Sequence, residues 1–257
     1  MIMRRRLFGL RLEQYWFDPE GYRNSRAQLA ALRTTEVFPE YALRIPEKTL
    51  WVDLRAPREE ILAGFHKRTR EYIRSGQNRY TVARAESDGE RRLFYDHYAR
   101  FARERRLPLP DPAEEGELQV YLARDGQGEL LHGCAFLAFA KPGIFRYRYG
   151  VRIKDSHAHP SLFWRAICDS RDMGFRHFDL GGVSGGQSGD PHMAGIDRFK
   201  HQFGGKPVEG WLYIRSPLFI LNWGLRCLGP LLHEERRLRR ALSALAPRVR
   251  HGEETGT

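Results

Sequence analysis

Two neighbouring stretches decide the fold: His177-Phe178-Asp179-Leu180-Gly181-Gly182-Val183-Ser184-Gly185 and Gly195-Ile196-Asp197-Arg198-Phe199-Lys200-His201-Gln202-Phe203-Gly204-Gly205. The first reads as a buried strand over residues 177–183, ending at a glycine pair where backbone can approach a ligand closely. A loop of Gly, Ser, Gln and Asp follows, with little in it to pack. The second reads as a short helix over residues 195–203. Its Phe199 and Phe203 lie four apart on one face and anchor it in the core. Lys200 is then held beside that face. A positioned ammonium is what acyl transfer requires, because it stabilises the oxyanion as a carbonyl carbon becomes tetrahedral. Without that chemistry, the same residue reads as a structural surface lysine.

Outward from this segment the chain alternates strands and helices. A strand at 49–54 contains Val52-Asp53-Leu54, and Pro57 opens a helix with Glu59 and Glu60 in its first turn, where carboxylates suit the positive helix end. Ile61, Leu62, Phe65, Tyr72 and Ile73 form its apolar face. Lys67, Arg68, Arg70 and Arg74 occupy the others, so this reads as one strongly basic helix. A strand at 80–84 and a helix at 90–105 follow. Strands at 117–124 and 129–140 are joined by the hairpin signal Asp125-Gly126-Gln127-Gly128. A strand at 143–151 alternates Arg and Tyr, and a helix at 161–174 and a strand at 208–215 complete the unit. Ahead of it stand a strand at 7–16, a turn at Asp18-Pro19-Glu20-Gly21 and a helix with Leu29, Leu32 and Val37 on one face. The predicted class is α/β (α+β), a mixed, mostly antiparallel sheet flanked by helices. Its predicted parts are an extension over 1–48, a central domain over 49–215, an amphipathic basic helix over 216–250 and a mobile tail over 251–257.

Of the 257 residues 41% are apolar and 12% aromatic, which rules out disorder throughout. The formal net charge is +11, and only six of the 43 basic residues are lysine. Such a surplus favours phosphate-rich or acidic partners, whether RNA, nucleotides or an anionic membrane. A GC-rich genome produces the same arginine excess. Cys134, Cys168 and Cys227 lie far apart in apolar stretches and read as small core residues in a reducing compartment. His157 and His159 have only Asp155 nearby, so no metal site is expected. No apolar run approaches the roughly 20 residues of a membrane span, and Arg11 and Glu13 interrupt the N-terminal apolar stretch before signal-peptide length. The expected location is the cytoplasm. The 216–250 stretch begins with Leu218, Phe219, Ile220, Leu221, Trp223 and Leu225 and turns basic at Arg236, Arg237, Arg239 and Arg240. It either packs on the sheet or lies peripherally on an anionic inner membrane face.

The pair of opening stretches resembles the C-terminal motif of the Fem-type (FemA/FemB/FemX-like) peptidyltransferases, a G-[IV]-S-G segment followed by G-x-x-x-F-K-x-x-F-G-G. The strand with Val52-Asp53-Leu54, with its basic helix ending Arg70-Glu71-Tyr72-Ile73-Arg74, is similar to that family's second landmark. Together the matches span about residues 50–215. The resemblance implies a GNAT-like acyltransferase fold and an aminoacyltransferase. Such an enzyme moves an amino acid from aminoacyl-tRNA to an amine, usually on a peptidoglycan precursor, without a covalent enzyme intermediate. Aminoacyl-tRNA would be a co-substrate, with no cofactor. Family members carry two such folds in tandem. Here only about 50 residues precede the Val-Asp-Leu strand, so the first fold is a remnant or missing, and the helical arm of some members is absent. The acceptor therefore stays open among a peptidoglycan precursor, a small metabolite or peptide, and a protein amine.

The resemblance places Lys200 near the reacting ester, as stabiliser of the oxyanion or of the leaving ribose oxygen. Asp179 is either a base or a buried strand residue bonded to backbone. Strand alternation puts Tyr147 and Tyr149 on one side and Arg148 on the other, so that either the tyrosines or Arg148 face acceptor or terminal adenosine, or the pattern is that of a partly exposed strand. Phe199, Gly181, Gly182 and Ser184 complete the substrate-binding set, while Arg68, Arg70, Arg74 and Arg198 are candidates for tRNA phosphates. One rival is an acyl-CoA-dependent N-acyltransferase. That chemistry calls for a Gly-rich pyrophosphate turn, whereas residues 151–161 contain no glycine and Pro160 lacks an amide donor. A second rival, a non-catalytic RNA- or membrane-binding module, predicts salt-sensitive binding indifferent to Lys200.

Overall fold

The computed structural model describes residues 2–7, 10–39, 41–105, 107, 109, 117–183 and 191–232. In chain order the first elements are β1 (Ile2–Leu7), β2 (Leu10–Trp16), α1 (Pro19–Asn24), β3 (Leu29–Thr34) and β4 (Leu43–Asp53). Next come α2 (Arg58–Ala63), α3 (Lys67–Gly76), β5 (Thr81–Arg84), α4 (Asp88–Arg105), β6 (Leu118–Arg124) and β7 (Leu130–Phe139). The last are β8 (Ile144–Arg152), α5 (Ala158–Asp172), β9 (His177–Gly182), α6 (Pro191–His201), β10 (Lys206–Arg215) and α7 (Phe219–Leu232).

The ten described strands join one sheet in the order β1-β2-β3-β10-β4-β9-β8-β7-β6-β5. Only β2–β3 and β8–β9 run parallel; the other neighbours are antiparallel. This is the mixed, mostly antiparallel sheet that the pattern of strands and helices predicts.

The sheet is covered on both faces. On one, Leu50, Val52, Phe136, Phe145, Phe178 and Leu180 pack against Ile61 and Phe65 at α2, Ile73 of α3, Leu162 and Phe163 of α5 and Phe203 at the end of α6. On the other, Phe94, Tyr98 and Ala102 of α4 pack against Val120, Leu122, Ala135, Leu137 and Tyr149, with Trp16 at the rim. A smaller cluster of Tyr15, Tyr22, Leu32, Phe38 and Tyr213 joins α1 to the N-terminal strands.

Two expectations are corrected. The stretch with Leu29 and Leu32 is strand β3, not a helix, and among the described residues of the extension the helix is α1, capped where Asp18 Oδ1 accepts from Gly21 N at 2.9 Å. β3 lies between β2 and β10, and Ala30 and Leu32 are almost fully buried. A strand enclosed on both faces shows a continuous apolar run, which period alone cannot tell from a short helix. Val37 lies beyond β3 and is exposed. The basic helix after Pro57 is likewise two helices. The elbow at Gly64-Phe65-His66 inserts fully buried Phe65 against Trp164 and Phe203, at ring separations of 5.7 and 5.2 Å.

That elbow explains the glycine pair after Phe203. His66 N donates to Gln202 O at 2.8 Å, drawing the elbow onto the end of α6. Gly204 has φ +64, and a Cβ there would overlap the carbonyl of Gly64. A Cβ on Gly205 would be 3.1 Å from both Leu180 and Leu50 side chains. Gly204→Ala should therefore cost about 2–4 kcal/mol in chemical denaturation, from left-handed strain plus overpacking. Unchanged stability would contradict the close approach.

Candidate active site

The site begins where a ladder stops. β8 and β9 pair in parallel only at Ile144/His177, Phe145/Phe178 and Arg146/Asp179. β8 continues to Arg152, while β9 stays on β4, with Thr49 opposite Gly182 and Val183 N donating to Lys48 O at 2.9 Å. Past Arg146/Asp179 the two strands no longer share hydrogen bonds, which leaves a break in the middle of the sheet. Gly181, with φ +83, turns the chain there. A Cβ on it would lie 3.4 Å from Tyr147 O and 3.5 Å from Lys200 Nζ.

Lys200 reaches this break from the face covered by α2, α3, α5 and α6. Phe199 and Phe203 stand 5.1 Å apart and lock around Phe163, at 5.4 and 5.1 Å, so α6 cannot rotate without tearing the aromatic core. Only 6% of Lys200 is exposed, and its Nζ donates to Gly182 O at 2.6 Å. A buried ammonium held on a backbone carbonyl beside a glycine pair is a fixed positive charge at the strand break. Its anchoring follows the spacing of the two phenylalanines.

Asp179 supports the break from beneath. Its carboxylate is fully buried and accepts from Gly181 N at 2.7 Å, from Thr49 Oγ1 and from Arg146 Nη1, with which it forms an ion pair. Of the two readings of Asp179, the geometry matches the buried, hydrogen-bonded one. Arg146 went unrecognised in the sequence because its neighbours Tyr147–Tyr149 drew the reading.

The alternation expected at Tyr147-Arg148-Tyr149 is broken. A register shift between Ala135 and Phe136 sets Ala135 opposite Tyr149 but Phe136 opposite Tyr147. Tyr147 therefore packs with Phe136 and Phe163 on the Lys200 face, while Tyr149 packs on Tyr98 on the other. Arg148 lies over Tyr149 and Trp16, on the face opposite Tyr147. A bulge is invisible to a period-two argument.

Beside Tyr147, Cys134 Sγ is 3.2 Å from His159 Nε2, and His159 stacks on Phe199 at 4.8 Å. A Cys–His pair invites a nucleophile, but burial raises the Cys134 thiol well above its ordinary value and pulls His159 down to about 3. Both are neutral, so no thiolate stands ready. His132 bonds Ser156 Oγ at 2.9 Å, and burial lowers it to about 4.

The tRNA candidates divide. Arg68, Arg74 and Arg198 are exposed, and Arg68 Nε donates to Tyr72 Oη at 2.7 Å. Arg70 instead donates to the carbonyls of Ala63 and Phe65, holding the α2–α3 elbow. Ser184 lies outside the described residues. A cavity of about 490 Å³ between α3 and α5, lined by Ile73, Tyr80, Ser161, Trp164 and Cys168, contains none of the site residues. Among the described residues no cluster of His, Cys, Asp and Glu could hold a metal.

No family model matches the chain, and no curated protein does. Solved structures do. The chain is similar to FemX, with a TM-score of 0.61 at 14% identity over 86% of this chain and 85% of that one. The likeness shows the fold, a large mixed sheet flanked by helices of the GNAT-like kind. The chain is also similar to the C-terminal domain of a protein given as a lysylphosphatidylglycerol synthetase from Agrobacterium fabrum, with a TM-score of 0.54 at 14% identity over 90% and 84% of the two chains.

The two buried imidazoles set an acid limit. Each is depressed below the ordinary histidine value of 6.5. The unfolded chain thus takes up protons first as pH falls, so stability is complete above pH 6.5 and is lost as pH drops towards 4. His132 should contribute a loss of about 1–3 kcal/mol over that window. Urea midpoints followed across it should fall, and His132→Gln should flatten the slope. An unaltered slope would contradict burial of a neutral His132.

Proposed function

We propose that the chain transfers an aminoacyl group from aminoacyl-tRNA to an amine, with the reaction taking place at the break between β8 and β9. The observation that carries this reading is the buried Lys200 ammonium, fixed on Gly182 O where the ladder ends. The acceptor nitrogen attacks the ester carbonyl carbon. A C–N bond forms, the C–O bond to the ribose breaks, and the amine proton passes to the leaving ribose oxygen. Lys200 stabilises the negative charge on oxygen during that exchange. Asp179 positions Arg146 and Gly181 and transfers no proton. The nucleophile is the substrate amine, so neutral Cys134 has no covalent role.

The donor side of the reading is supported by what the β8–α5 connection lacks. Ile153 N and Lys154 N both donate to Leu131 O, Arg152 pairs with Asp155, and Pro160 lies in the first turn of α5. Amides turned inward cannot cradle a pyrophosphate, which weighs against acyl-CoA. Exposed Arg68, Arg74 and Arg198 supply a surface for tRNA phosphates. The first turn of α7 leaves Phe219, Ile220 and Trp223 mostly exposed, which supports peripheral contact with an anionic membrane. The basic run at Arg236–Arg240 lies outside the described residues. No described helix is long and apolar enough to cross a membrane.

The test uses tRNA charged with labelled amino acids, an amine-containing extract as acceptor, and acetyl-CoA in parallel. Lys200→Ala should lower transfer about a hundredfold or more while binding of charged tRNA persists. Replacing Arg68 and Arg74 together should weaken that binding and flatten its salt dependence. Transfer from acetyl-CoA alone, or transfer indifferent to Lys200, would refute the reading.

A further inference from the structure

Among the described residues one other than glycine holds a left-handed backbone: Phe17, with φ +52. A bulky residue rarely adopts that conformation, and it persists only where the surroundings enforce it, most often beside a functional site. Two contacts enforce it here. Phe17 N donates to Arg33 O at 2.8 Å, and the Phe17 ring meets Phe139 edge-on at 5.3 Å. The kink follows directly on Trp16, the last residue of β2, which pairs in register with Arg33 of β3. An extended strand would send Trp16 and Phe17 to opposite faces. The kink instead lets both pack on Phe139 of β7, Trp16 stacking at 5.6 Å. In the sheet β3, β10, β4, β9 and β8 stand between β2 and β7, so the contact closes a curl of the whole sheet.

The kink delivers an indole against Arg146. Trp16 is 2% exposed, and its ring centre lies 5.1 Å from the Arg146 guanidinium carbon. Arg33 and Arg148 lie against the same ring at 4.9 and 6.0 Å. In the amide orientation that satisfies both its ends, Gln14 accepts from Trp16 Nε1 at 3.3 Å, so the indole is fixed by its edge as well as by Phe139. A free arginine side chain samples many rotamers, and a ring against its guanidinium removes that freedom. Held this way, the Arg146 side chain is only 15% exposed and pairs with fully buried Asp179. Asp179 accepts from Gly181 N at 2.7 Å, and a Cβ on Gly181 would lie 3.5 Å from Lys200 Nζ. Trp16, Arg146, Asp179 and Gly181 thus form one line of contacts from the second strand to the glycine pair.

We infer that Trp16 is a positioning residue of the transfer site. Its ring holds the Arg146 guanidinium on Asp179, Asp179 keeps the Gly181 turn set before Lys200, and the left-handed Phe17 seats the ring. The N-terminal extension is thereby part of the site. The effect of Trp16 on transfer rests on the transfer reading; the mechanical link to Gly181 does not.

Hydrogen exchange of the Gly181 amide in the full chain, followed by NMR relative to the amides of β6, tests the link without substrate. In Trp16→Leu the Gly181 amide should exchange about tenfold faster on that relative scale, and Trp16→Phe, which keeps a ring face, should restore most of the protection. Val120→Ala, a core change on the same face of the sheet, should leave the ratio unchanged. Arg146→Lys keeps the charge but loses the planar group, so it should also speed Gly181 exchange, and it carries the test if Trp16→Leu does not fold. With charged tRNA as donor, Trp16→Leu should lower kcat about tenfold at unchanged KM, with recovery in Trp16→Phe. In an Arg146→Lys background the same change should add less than about twofold, because the two residues act in series. Gly181 exchange that keeps pace with β6 in these variants overturns the proposal. So does a normal kcat in Trp16→Leu when transfer depends on Lys200. Faster Gly181 exchange together with transfer indifferent to Lys200 would instead overturn the transfer reading and leave the link standing.

Discussion

The buried carboxylate of Asp179 is the constraint on which the rest of the site depends. It has no exposure, yet it sits in the middle of a sheet, where a charge is tolerated only with partners. Those partners come from three strands: Thr49 on β4, Arg146 on β8 and the amide of Gly181 on β9 itself. Satisfying all three pins β4, β8 and β9 at one point. The parallel ladder ends at that point, where Asp179 meets Arg146 side chain to side chain as well as in register. Beyond it the glycine pair follows β4, and the break opens.

Two chemistries then meet from opposite faces. From the face under α5 and α6, Phe199 and Phe203 drive Lys200 to the carbonyl of Gly182, so its charge is fixed before any substrate arrives. From the other side, Arg146 carries the same ion pair against the ring of Trp16. A charge positioned in a dry site needs no reorganisation when an oxyanion forms, which is where electrostatic catalysis gains most of its effect. The N-terminal strands matter for this reason. They extend the sheet at one end, and through Trp16, stacked on Phe139 of β7, they wall the far side of the break.

Much of this was legible in the sequence, and the failures have physical causes. The Phe199–Phe203 spacing marked Lys200 as held, and the strand leading to Gly181-Gly182 marked the approach point. Local patterns of four or two residues are what a linear reading sees best. Leu29 and Leu32 misled because a strand buried on both faces loses its alternation. Tyr147 and Tyr149 misled because a bulge inserts Arg148 and sends them to opposite faces. Trp16, Arg33 and Arg146 stayed hidden because their meeting depends on the curl of the sheet. Cys134 and His159, 25 residues apart, meet only after α5 docks.

The central claim is that Asp179 organises the site as one half of a buried pair and is not a proton acceptor. A double-mutant cycle by chemical denaturation tests it most directly, using Asp179→Asn, Arg146→Met and the two combined. The account predicts that each single change costs about 3–5 kcal/mol, because it strands a buried partner, and that the double variant recovers much of that loss. A fully stable Asp179→Asn protein that has nonetheless lost transfer would contradict the account and make Asp179 the base.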